Sequence, residues 1–348
     1  MISVSDLRDE WRAYTEYWDS FLKEEQLIKV PNASAINKLR MRIEGKKALM
    51  VFLFPPFSGP YRKMWRQFRA QGYDTGFLYL SPPQPTSKQA AELSLMNSAR
   101  RLVKNVFRRF ILISPDVWII CGDNFRVAQK NRLIEKPSAH IVHAHSFDFE
   151  KWRSSRHARQ GSKKEAGQRV IVYVDQGFTS HPDRFLIASK DRMTFEGTYQ
   201  PILQWLKHIE EKLDACVKVA AHPKASREET LNTFVNFDVD SKKTIELIAD
   251  ADLVVTHSST AIQWAVLLDK PIAIISTREL ECSRLGPTAL AYAKELNAPV
   301  FNVLTNDQDV SHHIFIRDEK RYSEYVKNYM KGAQSPQIPL TEILLSTL

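Results

Sequence analysis

Over residues 47–303, strand-length apolar runs alternate with helix-length amphipathic segments, a pattern that restricts the chain to α/β layers built on parallel sheets. The first half offers "KALMVFLF" (47–54), "GFLYL" (76–80), "DVWIIC" (116–121) and "AHIVHA" (139–144) as strands. The second half offers "RVIVYV" (169–174), "CVKVAA" (216–221), "DLVVTH" (252–257), "PIAIIS" (271–276) and "PVFNVL" (299–304). At 348 residues the chain exceeds what one hydrophobic core usually supports, so two domains are expected. The Ser/Gly/Gln-containing basic stretch between the two strand sets is the natural boundary. The expected layout is a Rossmann-like domain over 1–155, a basic linker over 156–168, a second Rossmann-like domain over 169–310 and a helical tail over 311–348.

Outside the strands, Leu7, Trp11, Tyr14, Trp18, Phe21 and Leu22 recur at helical spacing and predict a helix through residue 28, and "EKRYSEYVKNYM" predicts another near the end. The longest apolar runs fall far short of the roughly 20 residues that cross a bilayer, and the opening residues show no basic-then-apolar signal pattern. A cytoplasmic protein is expected. Cys121, Cys216 and Cys282 form no CxxC pair and read as reduced thiols. The formal net charge of +9 calls for an acidic partner, with basic residues concentrated at 99–110 and 151–169. The aromatic interleaving of RNA-binding modules is missing there, which argues against nucleic acid.

In a doubly wound sheet, ligands meet the residues that follow the strands' carboxyl ends. Three such places carry chemistry. "VYVDQG" leaves a strand into Asp175, Gln176 and Gly177, placing a carboxylate where it can serve as general base or nucleophile; an Asx turn or helix cap is the structural alternative. His181 lies in the loop that follows. "VAAHPKAS" ends a strand at His222, with Pro223 preventing its continuation, and offers an imidazole beside Lys224 and Arg227. "VVTHSST" presents His257, Ser258, Ser259 and Thr260 ahead of a helix expected over 261–269, where hydroxyls and free backbone N–H groups can cradle an anion or simply cap the helix. In the first half, "FPPFSG" and "HAHSF" place Ser58, Gly59, His143 and His145 after strands, as candidate acceptor-side residues.

The trio "DQG", "HP" and "SST" resembles the acidic, His-Pro and Ser/Thr motifs of bacterial glycosyltransferases that use CMP-activated acidic sugars. Within that group, "VYVDQ", "AHPK" and "HSST" with "LLDKPI" are most similar to the Kdo-transferase and surface-polysaccharide branch, over residues 170–276. The resemblance implies a GT-B-like fold, two Rossmann-like domains whose parallel sheets face a cleft, with the donor on the C-terminal domain and the acceptor on the N-terminal one. It implies Asp175 as the catalytic carboxylate and His222 at the CMP phosphate. Gln176, Gly177, Lys224, His257, Ser258, Ser259 and Thr260 would line the donor side. Gln176 stands where sialyltransferases often carry a second acid, which favours the Kdo-like branch over CMP-sialic or CMP-pseudaminic acid transfer. The implied partners are a CMP-sugar donor, a glycan or lipid-linked acceptor, and an anionic inner-membrane face that the basic stretches can approach.

A CMP leaving group carries one phosphate, which N–H groups, hydroxyls and an imidazole can neutralise, so no metal and no cofactor are expected. GxGxxG and GxxxxGK are absent, and with only 11 glycines the phosphate loops of dehydrogenases and P-loop enzymes are not indicated. Three other readings stay open. Asp238 and Asp240 form an Asp-x-Asp triplet of the metal-binding GT-A kind. Asp175, His222 and Ser258 are also the residue types of a hydrolase triad, although GxSxG is missing. A polyanion-binding protein without catalysis would account for the basic stretches alone.

Overall fold

In the computed structural model of the chain, the described residues are 2–4, 28–30, 49–52, 66, 69–70, 72–80, 116–124, 140–156, 167–179, 193–223, 225–283, 285–304 and 310–346. They build two compact units, each on a six-stranded parallel sheet.

The first unit comprises residues 1–83, 98–150 and 327–348. Its strands are β1 (Ile2–Val4), β2 (Ile28–Val30), β3 (Leu49–Phe52), β4 (Asp74–Tyr79), β5 (Val117–Cys121) and β6 (His140–Ala144), in the order β2-β1-β3-β4-β5-β6. Ile2–Val4 and Ile28–Val30 correct the expected opening helix at both its ends, and the residues between them lie outside the described set. β5 reads VWIIC without a polar residue because a central parallel strand is covered on both faces, and every one of its side chains is buried. Asp116, one residue before β5, accepts the Thr75 N–H and hydroxyl and pairs with Arg69 at 3.0 Å, pinning the β4–β5 register. The last segment of the chain completes this core. Leu340, Ile343 and Leu344 pack with Leu80, Val117, Ile119, Cys121 and Ala144. Tyr329 O accepts from the Cys121 thiol, and the Ser335 hydroxyl donates to Ala144 O.

The second unit comprises residues 84–97 and 151–326. Its strands are β7 (Arg169–Val174), β8 (Ala215–Ala220), β9 (Asp238–Asp240), β10 (Leu253–Thr256), β11 (Ile272–Ser276) and β12 (Val300–Asn302), in the order β12-β11-β10-β7-β8-β9. Successive strands run outward from β7 on one side, then resume at β10 on the other. The order therefore reverses between β7 and β10, the topological switch point at which such sheets open a crevice. The helix Gln200–Lys212 covers one face through Ile202, Trp205, Leu206 and Ile209, one stripe at i, i+3, i+4 and i+7. Asn297, in left-handed conformation at φ 52°, closes the helix Gly286–Leu296 before β12. The Asp-x-Asp triplet is β9 itself, an edge strand in which Asp238 faces Lys218 at 3.6 Å and Asp240 accepts the N–H groups of Lys242 and Lys243.

No helix among the described residues is long and apolar enough to cross a membrane.

Candidate functional site

β7 carries Ile171, Val172, Tyr173 and Val174 buried to its end, and Asp175 N still donates to Ala220 O of β8 at 3.0 Å. The carboxylate is thus held at the sheet's carboxyl edge, only 2% exposed. Gly177 then takes φ +63°, a conformation costly for any residue with a Cβ, and turns the chain away. On the other side of the switch point, the Thr256 hydroxyl donates to Val174 O at 3.2 Å and clips the end of β10 to the end of β7. His257 and Ser258 are thereby carried alongside Asp175 and Gln176. The Gln176 amide oxygen accepts the Ser258 N–H at 2.9 Å, and its amide nitrogen lies 3.3 Å from the Ser258 hydroxyl. His257 Nδ1 sits 3.0 Å from the same hydroxyl.

Asp175 Oδ1 accepts from the Tyr199 hydroxyl at 2.8 Å, and that hydroxyl in turn accepts the Phe178 N–H at 2.9 Å. Asp175 Oδ2 is buried without a hydrogen-bond partner, and so is His257 Nε2. Burial pushes the Asp175 carboxyl up to about 6, with the Tyr199 hydroxyl and the Gly177 and Gln176 amides pulling the other way. The same burial pulls His257 down to about 4, so this imidazole is neutral at pH 7. Phe178 lies edge-on to the His257 ring at 6.0 Å and shields it.

β8 flanks β7 on its other side, and His222 follows β8 by two residues, half-buried. The order β8-β7-β10 therefore brings the tips bearing His222, Asp175 and Ser258 together, with the carboxylate strand in the middle. The expected helix over 261–269 is Ile262–Leu267. Ahead of it Ser259 accepts the Ala261 N–H at 3.2 Å and shapes the turn, while Thr260 is exposed. The Ser258 hydroxyl is engaged by Gln176 and His257 rather than by the Asp175 and His222 of a hydrolase relay. Lys224, His181, Ser58 and Gly59 lie outside the described residues.

In the first unit, His143 belongs to β6 and His145 follows it. His145 Nε2 bonds to Glu150 Oε2, both side chains are buried, and His145 Nδ1 has no partner. Glu150 also accepts the Leu340 N–H at 3.3 Å.

Tyr199 is the residue of the candidate site that sequence reading missed. It ends a π-helical turn, Phe195–Tyr199, that runs directly into the helix Gln200–Lys212, and its 24-residue separation from Asp175 leaves no local trace.

No protein-family model matches the chain, and no curated protein does. Among solved structures, the H444N variant of the wall teichoic acid polymerase TagF aligns with a TM-score of 0.50 and 12% identity, covering 96% of this chain and 84% of that one. The fold is GT-B-like. The H548A variant of TagF aligns at 0.49 with 11% identity over 99% of this chain and 88% of that one. The UDP-GlcNAc 2-epimerase from Neisseria meningitidis, bound to UDP-GlcNAc, aligns at 0.45 with 11% identity over 94% of this chain and 85% of that one. At 12% identity, the alignment with the H444N variant carries the fold and nothing finer.

Proposed function

We propose that the chain is a glycosyltransferase that moves Kdo, or a related 3-deoxy-ulosonic acid, from a CMP donor onto a surface-polysaccharide acceptor. The observation that carries this reading is the Asp175 carboxylate, buried at the switch point of a GT-B-like sheet with Oδ2 unpartnered. A buried carboxylate oxygen normally has a donor or a positive centre against it. At a strand tip flanked by an imidazole and a hydroxyl, a substrate supplies that partner.

Two courses are open to Asp175. As a general base, it takes the acceptor hydroxyl's proton while that oxygen attacks the anomeric carbon and the bond to the CMP phosphate breaks, inverting the centre. As a nucleophile, Asp175 itself displaces CMP, and the acceptor oxygen then displaces Asp175, giving its proton to the released CMP phosphate and retaining the configuration. In either course the leaving phosphate gathers charge. His257 is neutral at pH 7 and supplies only a hydrogen bond, so His222, on the more open flank, is assigned to the phosphate. Gln176 and Ser258, already tied together, hold the donor's polar groups, and Ser259, Thr260 and Lys224 are assigned to the same donor role. His143 and His145, with Ser58 and Gly59, are assigned to the acceptor side. No metal or cofactor is invoked, and contact with an anionic inner-membrane face would bring a lipid-linked acceptor to a cytoplasmic enzyme. A wall teichoic acid polymerase among the structural neighbours is consistent with a surface-polymer acceptor.

The deciding experiment is CMP release over a panel of CMP-Kdo, CMP-sialic acid and CMP-pseudaminic acid, with UDP sugars as controls and EDTA in a parallel series. Release from CMP-Kdo that persists in EDTA and disappears in Asp175→Asn supports the proposal. Turnover of a UDP sugar alone overturns the donor. Intact-mass analysis after donor soaking separates the two courses, since only the nucleophile leaves a sugar-sized adduct.

A further inference from the structure

The Tyr199–Asp175 bond depends on a residue far from the strand tips. Tyr199 closes the π-helical turn Phe195–Tyr199, a turn that holds one residue more than an α-helical one and is therefore the less stable geometry. Relaxation to α-helix would move Tyr199 by one residue position, about 100° around the axis, and take its hydroxyl off Asp175. Something must hold the wide turn open.

Glu279, on the helix Arg278–Cys282 that follows β11, meets both ends of that turn. Its Oε2 accepts the Thr194 N–H at 2.9 Å and the Thr198 hydroxyl at 2.8 Å, and its Oε1 accepts the Thr194 hydroxyl at 2.8 Å. Thr194 also caps the turn by accepting the Gly197 N–H at 2.9 Å. Gly197 completes the fit, because a Cβ there would overlap the Glu279 carboxylate. Three donors on one carboxylate form a clamp that spans the exposed cap residue Thr194 and the fully buried Thr198 next to Tyr199.

We infer that Glu279 is a positioning residue, one that fixes Tyr199, and through it the hydrogen bonding and proton affinity of Asp175, without touching substrate. This rests on the proposed role of Asp175 only for its catalytic consequence. The positioning itself is open to measurement in the absence of any donor or acceptor.

The experiment follows the Asp175 carboxyl by 13C NMR across pH in the full chain, its resonance assigned by its loss in Asp175→Asn. Apart from Tyr199 itself, the ionisable neighbours stay in place throughout: Tyr173 two residues back, and His222 and His257 on the flanking tips. Tyr199→Phe removes the bond outright, so the Asp175 midpoint moves up. Glu279→Ala is expected to move it in the same direction, and the double variant to move it no further than Tyr199→Phe alone. Gly197→Ala, which displaces the carboxylate while leaving Glu279 in the chain, is expected to repeat the shift, and Glu279→Gln keeps the test available should Glu279→Ala fail to fold. A midpoint unchanged in folded Glu279→Ala or Glu279→Gln, or a shift that adds in full to that of Tyr199→Phe, overturns the inference. Where CMP release is measurable, Glu279→Ala should lower kcat severalfold with KM nearly unchanged. An unaltered titration overturns the inference about Glu279 whatever the donor proves to be, and an inert donor panel overturns the proposed function whatever the titration shows.

Discussion

Asp175 and His257 lie side by side at the switch point and respond to burial in opposite ways. The Asp175 carboxyl, up from 3.8 to about 6, holds its proton longer in the folded chain than in the unfolded one. Stability from this group is therefore fully present below pH 3.8 and falls as pH rises toward 6, by on the order of 3 kcal/mol. His257, down from 6.5 to about 4, is protonated first in the unfolded chain, so its contribution rises with pH over that interval by a similar amount, on the order of 3 kcal/mol. The two slopes oppose each other between pH 4 and 6. Urea titrations should show Asp175→Asn gaining stability with pH across that window more steeply than the wild type, and His257→Gln losing it; parallel curves would contradict both assignments. For catalysis, a base or nucleophile must be ionised, so kcat/KM should fall below about pH 6 with a single-proton limb. Asp175, Gln176, His257 and Ser258 were legible in the sequence because each directly follows an apolar run. Tyr199 and Glu279 were not, since their bonds span 24 and 85 residues and no short-range pattern records them.

Among the elements, the helix Gln200–Lys212 is placed by its apolar stripe and in turn anchors the π-helical turn. Leu206→Ala, at a fully buried position, should cost about 2–5 kcal/mol in chemical denaturation. Lys207→Ala, on the exposed face, should stay within about 0.5 kcal/mol. Equal effects would mean the helix does not seat as described. β5, β7, β10 and β11 could be read from the chain because central parallel strands are near-continuous Val/Ile/Leu runs. β1, β2 and β9 could not, for three residues such as IKV or DVD carry too little periodicity to register. The Asp-x-Asp pattern of β9 looked like chemistry because acidic residues alternate on an edge strand as they do in a metal site; here their carboxylates face Lys218 and backbone amides.

At the scale of the molecule, the first unit is discontinuous: it contains residues 327–348 after the chain has completed the second. Leu340, Ile343 and Leu344, all within 2% of full burial, bring on the order of 5 kcal/mol or more of apolar burial to its core, comparable with a whole domain's net stability. Deleting residues 336–348 should therefore abolish slow hydrogen exchange in β5 and β6 while leaving β7 and β10 protected. Retained protection in β5 would show the core to be sufficient without the final helix, Leu340–Leu345. The same arrangement sets a schedule for synthesis. Residues 151–326 separate the body of the first unit from its closing segment, an interval of roughly ten to thirty seconds at ordinary elongation rates. Throughout it the nascent amino-terminal half waits on the ribosome with β5 and β6 unfinished, so the part made first is the part completed last, and the one most in need of a chaperone.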